Sequence, residues 1–179
     1  MTIKMTRRST LVLGGALMAS VLLGYLLWIY GKHYTPAKIG DVAPNIDAVA
    51  TTGQPFSLDN LRGEPVLLDF FTPWCAPCIA ETPDLIAFAK QYGQKVHVVL
   101  IDRGDGEGFV RQYVEKYHTP TDMTVLFNPN DNWSTQYGVT GQPETFFISA
   151  DGKIVLHTVG PLSKVQMTND AKAAGMPAT

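Results

Sequence analysis

The sequence predicts an α/β fold with a central mixed β-sheet flanked by helices and an N-terminal β-hairpin. It also predicts a single transmembrane helix that precedes this domain. The prediction rests on a long uncharged stretch near the N-terminus, and on apolar runs of strand length that alternate with stretches of helical periodicity. With 179 residues, of which 45% are hydrophobic and 17% charged, the chain is long enough for one domain with a buried core. Its formal net charge of -2 argues against a nucleic-acid-binding protein.

An uncharged segment from Ser9 to Tyr30 is the first element. As a helix it would span roughly 33 Å, which is enough to cross a bilayer. Lys4, Arg7 and Arg8 precede it, and this positive flank predicts a cytoplasmic N-terminus and an exported remainder. We therefore expect a cytoplasmic N-terminus over 1–8, a transmembrane anchor over 9–30, a tether over 31–38 and one domain over 39–179.

A cleaved signal peptide is the alternative for the same segment. Such a peptide has an apolar core of about 7 to 15 residues, which is shorter than this run, and Ala16–Ser20 offers no clean small-x-small cleavage site. Arg7 and Arg8 also suggest a twin-arginine signal, but Thr10 stands where a large apolar residue is expected. The pattern favours an uncleaved anchor.

Hydrophobic periodicity predicts the strands and helices of the exported part. Ile46–Ala50 and Phe56–Leu58 flank Thr52-Gly53-Gln54, a hairpin pattern. The run Val66–Phe71 is nearly continuous in apolar residues, as a strand covered on both faces would be, and only Asp69 interrupts it. The same reading predicts helices over 76–92, 109–117, 132–137 and 162–174 and strands over 96–101, 124–127, 145–149 and 153–159, in the order β-β-β-α-β-α-β-α-β-β-α.

Both cysteines of the chain lie in the motif Trp74-Cys75-Ala76-Pro77-Cys78, where the buried strand passes into a helix. Two thiols three positions apart at a helix start can form a disulfide within one turn. Cys75 meets the unpaired N–H groups and the positive end of the helix dipole, and both favour the thiolate, which is the reactive form. Pro77 suits the first helical turn, where no N–H hydrogen bond is lost. The motif therefore predicts redox chemistry with Cys75 as the nucleophile.

Two structural alternatives explain the cysteine pair less well. A bridge that encloses two residues constrains the unfolded chain little, so a purely structural disulfide would stabilise the fold little. A structural zinc site usually needs four ligands. The four histidines are scattered along the chain and do not have the spacing of metal ligands; they are His33, His97, His118 and His157. The sequence therefore predicts no metal site and no cofactor.

Four motifs carry a family resemblance: Gly-Asp-Val-Ala-Pro-Asn at 40–45, the run at 70–83 with both cysteines, Gly-Val-Thr-Gly-Gln-Pro-Glu-Thr-Phe at 138–146, and Asp-Gly-Lys at 151–153. On these motifs the exported part resembles the membrane-anchored TlpA/ResA/DsbE (CcmG) group of bacterial thiol-disulfide oxidoreductases. The resemblance implies a thioredoxin fold and an enzyme that reduces protein disulfides. It also implies a single-pass protein of the bacterial inner membrane with its domain in the periplasm.

The resemblance also implies partners. These are protein substrates that carry disulfides or dithiols, such as apocytochrome c in cytochrome c maturation, and a membrane electron-donor protein of the DsbD/CcdA type. Disulfide oxidase or isomerase activity is an alternative. The Ala-Pro dipeptide between the cysteines is closer to the Gly-Pro of thioredoxin than to strongly oxidising Pro-His, but it does not fix the reduction potential.

A thiol peroxidase and a copper-binding module are further alternatives. The opening motif also resembles peroxiredoxins, and Thr72 lies three residues before Cys75, but Leu68 stands where their proline is expected. A copper carrier of the Sco type would have a longer cysteine spacing and a placed histidine.

Several residues take expected roles from the resemblance. Pro143 matches the cis-proline beside the disulfide, which would expose the backbone of Gln142 for strand-like pairing with a substrate peptide. Asp69 matches the buried carboxylate of thioredoxin and would accept the proton of Cys78 as a mixed disulfide resolves. Glu81 matches the glutamate of a Cys-x-x-Cys-x-x-Glu-x-Pro pattern, one helical turn after Cys78.

Each of these assignments has a plainer alternative. Pro143 would be an ordinary trans proline of a turn, Asp69 would point into water at a strand edge, and Glu81 would lie on a solvated helix face. Trp74 is expected to shape the substrate-binding surface rather than to take part in bond making. Gln142 departs from the apolar residue or threonine common before this proline, which leaves the substrate preference open.

Overall fold

The computed structural model describes residues 18–26 and 36–177, which belong to two separate units, Met1–Thr35 and Pro36–Thr179. In the first unit, residues 18–26 form an exposed helix, α1. None of the helices in these described ranges has the length and apolar character needed to cross a membrane. The predicted cytoplasmic N-terminus, both ends of the predicted anchor and most of the predicted tether lie outside the described residues.

The second unit has the predicted order of strands and helices, and the predicted boundaries differ from the observed ones by no more than two residues. A 3₁₀ turn at Leu58–Leu61 is added between the hairpin and the sheet. The strands are β1 (Asp47–Val49), β2 (Pro55–Ser57), β3 (Val66–Phe71), β4 (His97–Asp102), β5 (Met123–Leu126), β6 (Glu144–Ile148) and β7 (Ile154–Val159), and the helices are α2 (Ala76–Tyr92), α3 (Glu107–Tyr117), α4 (Asn132–Tyr137) and α5 (Lys164–Ala173).

A five-stranded mixed sheet forms the centre of this unit, in the order β5-β4-β3-β6-β7. The pairs β3–β4 and β4–β5 are parallel, while β3–β6 and β6–β7 are antiparallel. The hairpin of β1 and β2 is a separate two-stranded sheet. Because β3 is the middle strand, the cysteines that follow it lie at the centre of one edge of the sheet.

Two apolar clusters, one on each face, hold the sheet between its covering elements. Alternate residues of β3 enter opposite clusters, Leu67 and Phe71 on one side and Leu68 and Phe70 on the other. Helices α2, α3 and α5 pack on the first face, and α4 and the hairpin pack on the second. The predicted central mixed sheet with helices on both faces is therefore confirmed.

Candidate active site

The two cysteines lie where β3 passes into α2. Cys75 is the N-cap residue of α2, and its sulfur accepts a hydrogen bond from the Cys78 N–H at 3.3 Å. Cys75 and Cys78 form a disulfide with their Cα atoms 5.3 Å apart. In the reduced protein the same N–H and the helix dipole would stabilise a thiolate at Cys75.

The disulfide is almost covered by the protein, because Cys75 is 5% exposed and Cys78 is 3% exposed. Only a small part of either cysteine is therefore accessible to a reacting sulfur. The described residues contain no group of three or more His, Cys, Asp and Glu side chains that could hold a metal ion. The chemistry that the site offers is exchange between this disulfide and an incoming thiol or disulfide.

Asp69 is a buried carboxyl group on the face of the sheet that carries the cysteines. It is 0% exposed, and strand alternation directs it to the side of Leu67 and Phe71, whose apolar cluster includes both sulfurs. Its Oδ2 accepts a hydrogen bond from Thr145 Oγ1 at 2.9 Å, and its Oδ1 has no partner within the described chain. Burial raises the pKa of Asp69 to about 7. The alternative of an Asp69 side chain in water is wrong.

Glu81 is a second buried carboxyl group, on α2 one turn after Cys78. It is 3% exposed, so the alternative of a solvated helix face is wrong. Its Oε1 accepts a hydrogen bond from the Leu162 N–H at 2.8 Å, while its Oε2 has no partner in the described ranges. Burial, together with the negative charge of Asp69, raises the pKa of Glu81 to about 8. Two buried carboxyl groups with raised pKa values thus lie on the elements that carry the cysteine pair, Asp69 on β3 and Glu81 on α2.

The loop between α4 and β6 faces the disulfide. The Gln142–Pro143 peptide bond is cis, as the resemblance implies, and the alternative of a trans turn proline is wrong. The carbonyl oxygen of Gln142 lies 3.8 Å from Cys75 Sγ. A peptide that paired with the backbone of Gln142 would bring its own sulfur next to Cys75.

Trp74 forms the exposed rim of the site, with 64% of its surface accessible. Its Nε1 donates a hydrogen bond to Asp105 Oδ1 at 2.8 Å, which fixes the indole ring against the loop after β4. The ring borders a groove whose other walls include Phe109 and Tyr117 of α3. Contact of Trp74 with substrate stays a prediction.

The sequence did not indicate a role for Arg103, but in the structure this residue contacts the cis-proline loop. It is the first residue after β4, and its Nη1 donates hydrogen bonds to the Gly141 carbonyl and to Gln142 Oε1, both at 2.9 Å. Its place at the carboxyl end of a parallel strand beside β3 was the available signal, since such ends meet at one edge of a sheet.

Glu144 is a second residue of the site that was not predicted, although it belongs to the Pro-Glu-Thr-Phe motif. Its Oε1 accepts hydrogen bonds from Thr140 N–H, Thr140 Oγ1 and Gly141 N–H, each at 2.9 Å. Burial opposes its ionisation, but these bonds and one with His157 hold the pKa of Glu144 below its usual range. A charged Glu144 therefore ties the cis-proline loop to the start of β6.

Comparisons with known proteins agree with this geometry. Residues 39–157 match the AhpC/TSA family. The chain is 28% identical over 158 residues to the thiol-disulfide oxidoreductase ResA of Bacillus thuringiensis strain Al Hakam, covering 88% of this chain and 87% of that protein. It is 30% identical over 135 residues to the thiol:disulfide interchange protein DsbE homolog of Paracoccus denitrificans strain Pd 1222, covering 74% of this chain and 73% of that protein.

A solved structure also shares the fold. A thiol:disulfide interchange protein of the thioredoxin family from Chlorobium tepidum TLS superposes with a TM-score of 0.69 at 28% identity, covering 79% of this chain and 100% of that one. The thioredoxin fold that the resemblance implied is therefore confirmed.

Proposed function

The chain belongs to the AhpC/TSA family and is a thiol-disulfide oxidoreductase, and on that premise we propose that it reduces disulfides of proteins outside the cytoplasm. The observation that carries the proposal is the Cys75–Cys78 disulfide at the start of α2, next to the cis-proline loop. Both cysteines are largely covered, and a peptide that pairs with the cis-proline loop would bring its sulfur to Cys75.

We base the proposed direction of the reaction on the groups that surround Cys75. A dithiol is a strong oxidant when its reduced form is stabilised. Within the described chain, the Cys78 N–H is the sole hydrogen-bond donor to Cys75 Sγ, and the negative end of the Gln142 carbonyl lies 3.8 Å away. This modest stabilisation of a thiolate supports a reductant over an oxidase.

In the proposed cycle the Cys75 thiolate attacks one sulfur of a substrate disulfide. A mixed disulfide forms, and the other substrate sulfur leaves as a thiolate and takes up a proton. Cys78 then loses its proton and attacks Cys75 Sγ, so that the Cys75–Cys78 disulfide forms and the second substrate sulfur leaves and is protonated. The substrate gains two electrons and two protons, and the two cysteines of the enzyme are oxidised.

We assign the proton of Cys78 to the buried carboxyl groups. Asp69 and Glu81 have pKa values raised to about 7 and about 8, so each exchanges protons readily near neutral pH. Their negative charges repel one another, so the state in which both are ionised is disfavoured. When both are ionised, the pair therefore takes up one proton readily. Both groups act on the resolving step rather than on the first attack.

The setting of the reaction is proposed from the sequence. Segment 9–30 is the inner-membrane anchor, because it is uncharged and follows a positive flank, and the domain lies on the periplasmic side. A membrane electron-donor protein of the DsbD/CcdA type would return electrons to the disulfide, and apocytochrome c would be a client. The ResA and DsbE names among the relatives support this setting.

The test uses two matched variants, Cys78→Ser and Cys75→Ser, each mixed with a peptide that contains a disulfide. We expect Cys78→Ser to accumulate a mixed disulfide with the peptide and Cys75→Ser to form little, measured by mass spectrometry without reductant. Equal trapping by both variants would remove Cys75 as the nucleophile. Faster oxidation of the reduced wild type by hydrogen peroxide than by the peptide would favour a peroxidase.

A further inference from the structure

Arg103 holds the residues before the cis-proline through one end of its guanidinium group. Nη1 donates to the Gly141 carbonyl and to the Gln142 side-chain oxygen, each at 2.9 Å. A guanidinium presents its donors in a rigid planar fork, so two acceptors on neighbouring residues are fixed together. Glu81, Asp69 and the disulfide are not part of this contact.

The other side of the guanidinium is anchored at the start of α4, on its N-cap residue and its first turn. Nη2 pairs with Asp131 Oδ2 at 3.2 Å, and Nε donates to Ser134 Oγ at 3.3 Å. The Arg103 side chain is only 17% exposed. Since both ends are engaged and water is largely excluded, the group is held in one orientation and transmits it to the loop.

The backbone groups of Gly141 and Gln142 differ in their partners. The Gly141 carbonyl accepts from Arg103 and its N–H donates to Glu144, so both are satisfied within the protein. The N–H of Gln142 has no hydrogen-bond partner in the described chain, and the Gln142 carbonyl meets only Cys75 Sγ. The residue that adjoins the reactive sulfur is therefore the one with free backbone groups.

We propose that Arg103 is a positioning residue for polypeptide substrates: it fixes Gly141 and Gln142 so that the free backbone of Gln142 pairs with an extended peptide beside Cys75. This rests on the proposed exchange with protein disulfides. A strand-like partner supplies both a carbonyl and an N–H to Gln142, whereas a small disulfide supplies neither. Arg103 thus acts on the choice between polypeptide and small substrates, not on the bond exchange.

The test compares two substrates with full-length protein in detergent. The reduced enzyme is oxidised either by a disulfide-bonded peptide or by hydroxyethyl disulfide, and each second-order rate constant is measured. In Arg103→Ala we expect the ratio of the peptide constant to the small-disulfide constant to fall about tenfold, mainly through a higher KM for the peptide. Arg103→Lys, which keeps the charge and can reach one acceptor, should fall between Arg103→Ala and wild type.

Arg62→Ala is the matched control. Arg62 also donates to a distant backbone carbonyl, that of Asp151 at 2.9 Å, but on another loop. In Arg62→Ala the ratio of the peptide rate constant to the small-disulfide rate constant should stay within about twofold of wild type. An unchanged ratio in Arg103→Ala, or an equal loss with both substrates, would overturn the inference while leaving the proposed function intact. A wild-type protein that reacts with neither substrate would overturn both.

Discussion

At the scale of single residues, two buried carboxyl groups distinguish this site from an ordinary apolar core. Asp69 and Glu81 each leave one oxygen without a partner among the described residues, which is costly in a buried position. Perturbed groups of this kind cluster at functional sites. Their cost to the fold is explained if they handle the proton of Cys78.

Glu81→Gln tests this assignment. Glutamine can still accept the Leu162 N–H, so the packing is kept while the titratable group is removed. In wild type we expect the rate of mixed-disulfide resolution to rise with pH between about 6 and 9, because the carboxyl groups act as bases only when they are deprotonated. In Glu81→Gln the rate at pH 8 should fall about tenfold, measured by stopped-flow fluorescence of Trp74.

The matched control for this experiment is Glu115→Gln, an exposed residue of α3. It should follow the wild-type pH profile. A Glu81→Gln profile that coincides with wild type across the whole range would show that Glu81 takes no part in the proton transfer.

The variant Asp69→Asn tests whether burial of the Asp69 carboxyl group makes the free energy of unfolding depend on pH. The pKa of Asp69 is about 7 in the folded protein against an ordinary value of 3.8, so the folded state keeps a proton that the unfolded state releases. The free energy of unfolding therefore decreases as pH rises from about 4 to 7, by at most about 4 kcal/mol from this group. Urea unfolding of the oxidised protein should show a shallower decrease in Asp69→Asn.

Glu81 and Asp102 leave part of this pH dependence in the variant, because their pKa values are also raised, to about 8 and about 7, chiefly by burial. The comparison is therefore between two slopes and not two absolute stabilities. Equal slopes in Asp69→Asn and wild type would contradict the assignment.

A site residue can be predicted from the sequence when the neighbouring residues form a pattern that marks it. Asp69 was found because it interrupts an apolar run, and Gln142 because it precedes a proline in a family motif. Arg103 could not be found in this way, since its role arises from contact with a loop that is distant in sequence. Local periodicity carries no information on such a contact.

At the scale of elements, the site depends on how α5 is docked beside α2. Leu162, just before α5, donates its N–H to Glu81, and Ser163 is the N-cap of the helix. Ser163 and Gln166 form a reciprocal capping box. The residues at the start of α5 thus cap this helix and also supply the single hydrogen bond that the Glu81 side chain accepts from the described part of the chain.

We expect Ser163→Ala to lower the free energy of unfolding by about 1 kcal/mol, because the side chain that satisfies the Gln166 N–H is lost. Urea unfolding at neutral pH measures it. Ser57→Ala is the matched control, since Ser57 precedes the 3₁₀ turn without capping it, and it should cost clearly less. Equal costs would mean that the capping box contributes nothing specific.

The types of the elements were predictable, but not the direction of every side chain. The run Val66–Phe71 is wholly apolar apart from Asp69, and β3 has the predicted bounds. In α3, by contrast, Phe109 and Val110 are adjacent and cannot both face the sheet, and the helix buries Val110 with Tyr113. Phe109 is therefore 61% exposed and borders the groove beside Trp74.

At the scale of the whole molecule, the mixed sheet explains why distant motifs form one site. The parallel pair β3–β4 brings Cys75 and Arg103 to the same edge, and the antiparallel pair β3–β6 brings the cis-proline loop to it. The element order predicted a mixed sheet, but the strand order is set by long-range pairing that no local pattern encodes. The predicted anchor lies only partly within residues that the structure describes.

The proposed function requires a reversible dithiol that acts as a reductant, and the reduction potential of the Cys75–Cys78 pair decides whether the protein is one. The full-length protein is equilibrated with glutathione or dithiothreitol buffers, and Trp74 fluorescence reports the fraction oxidised. We predict a two-electron transition with a midpoint between about -220 and -300 mV, near that of thioredoxin, and its loss in Cys75→Ser. A midpoint near about -120 mV, or no reversible transition in wild type, would contradict the account.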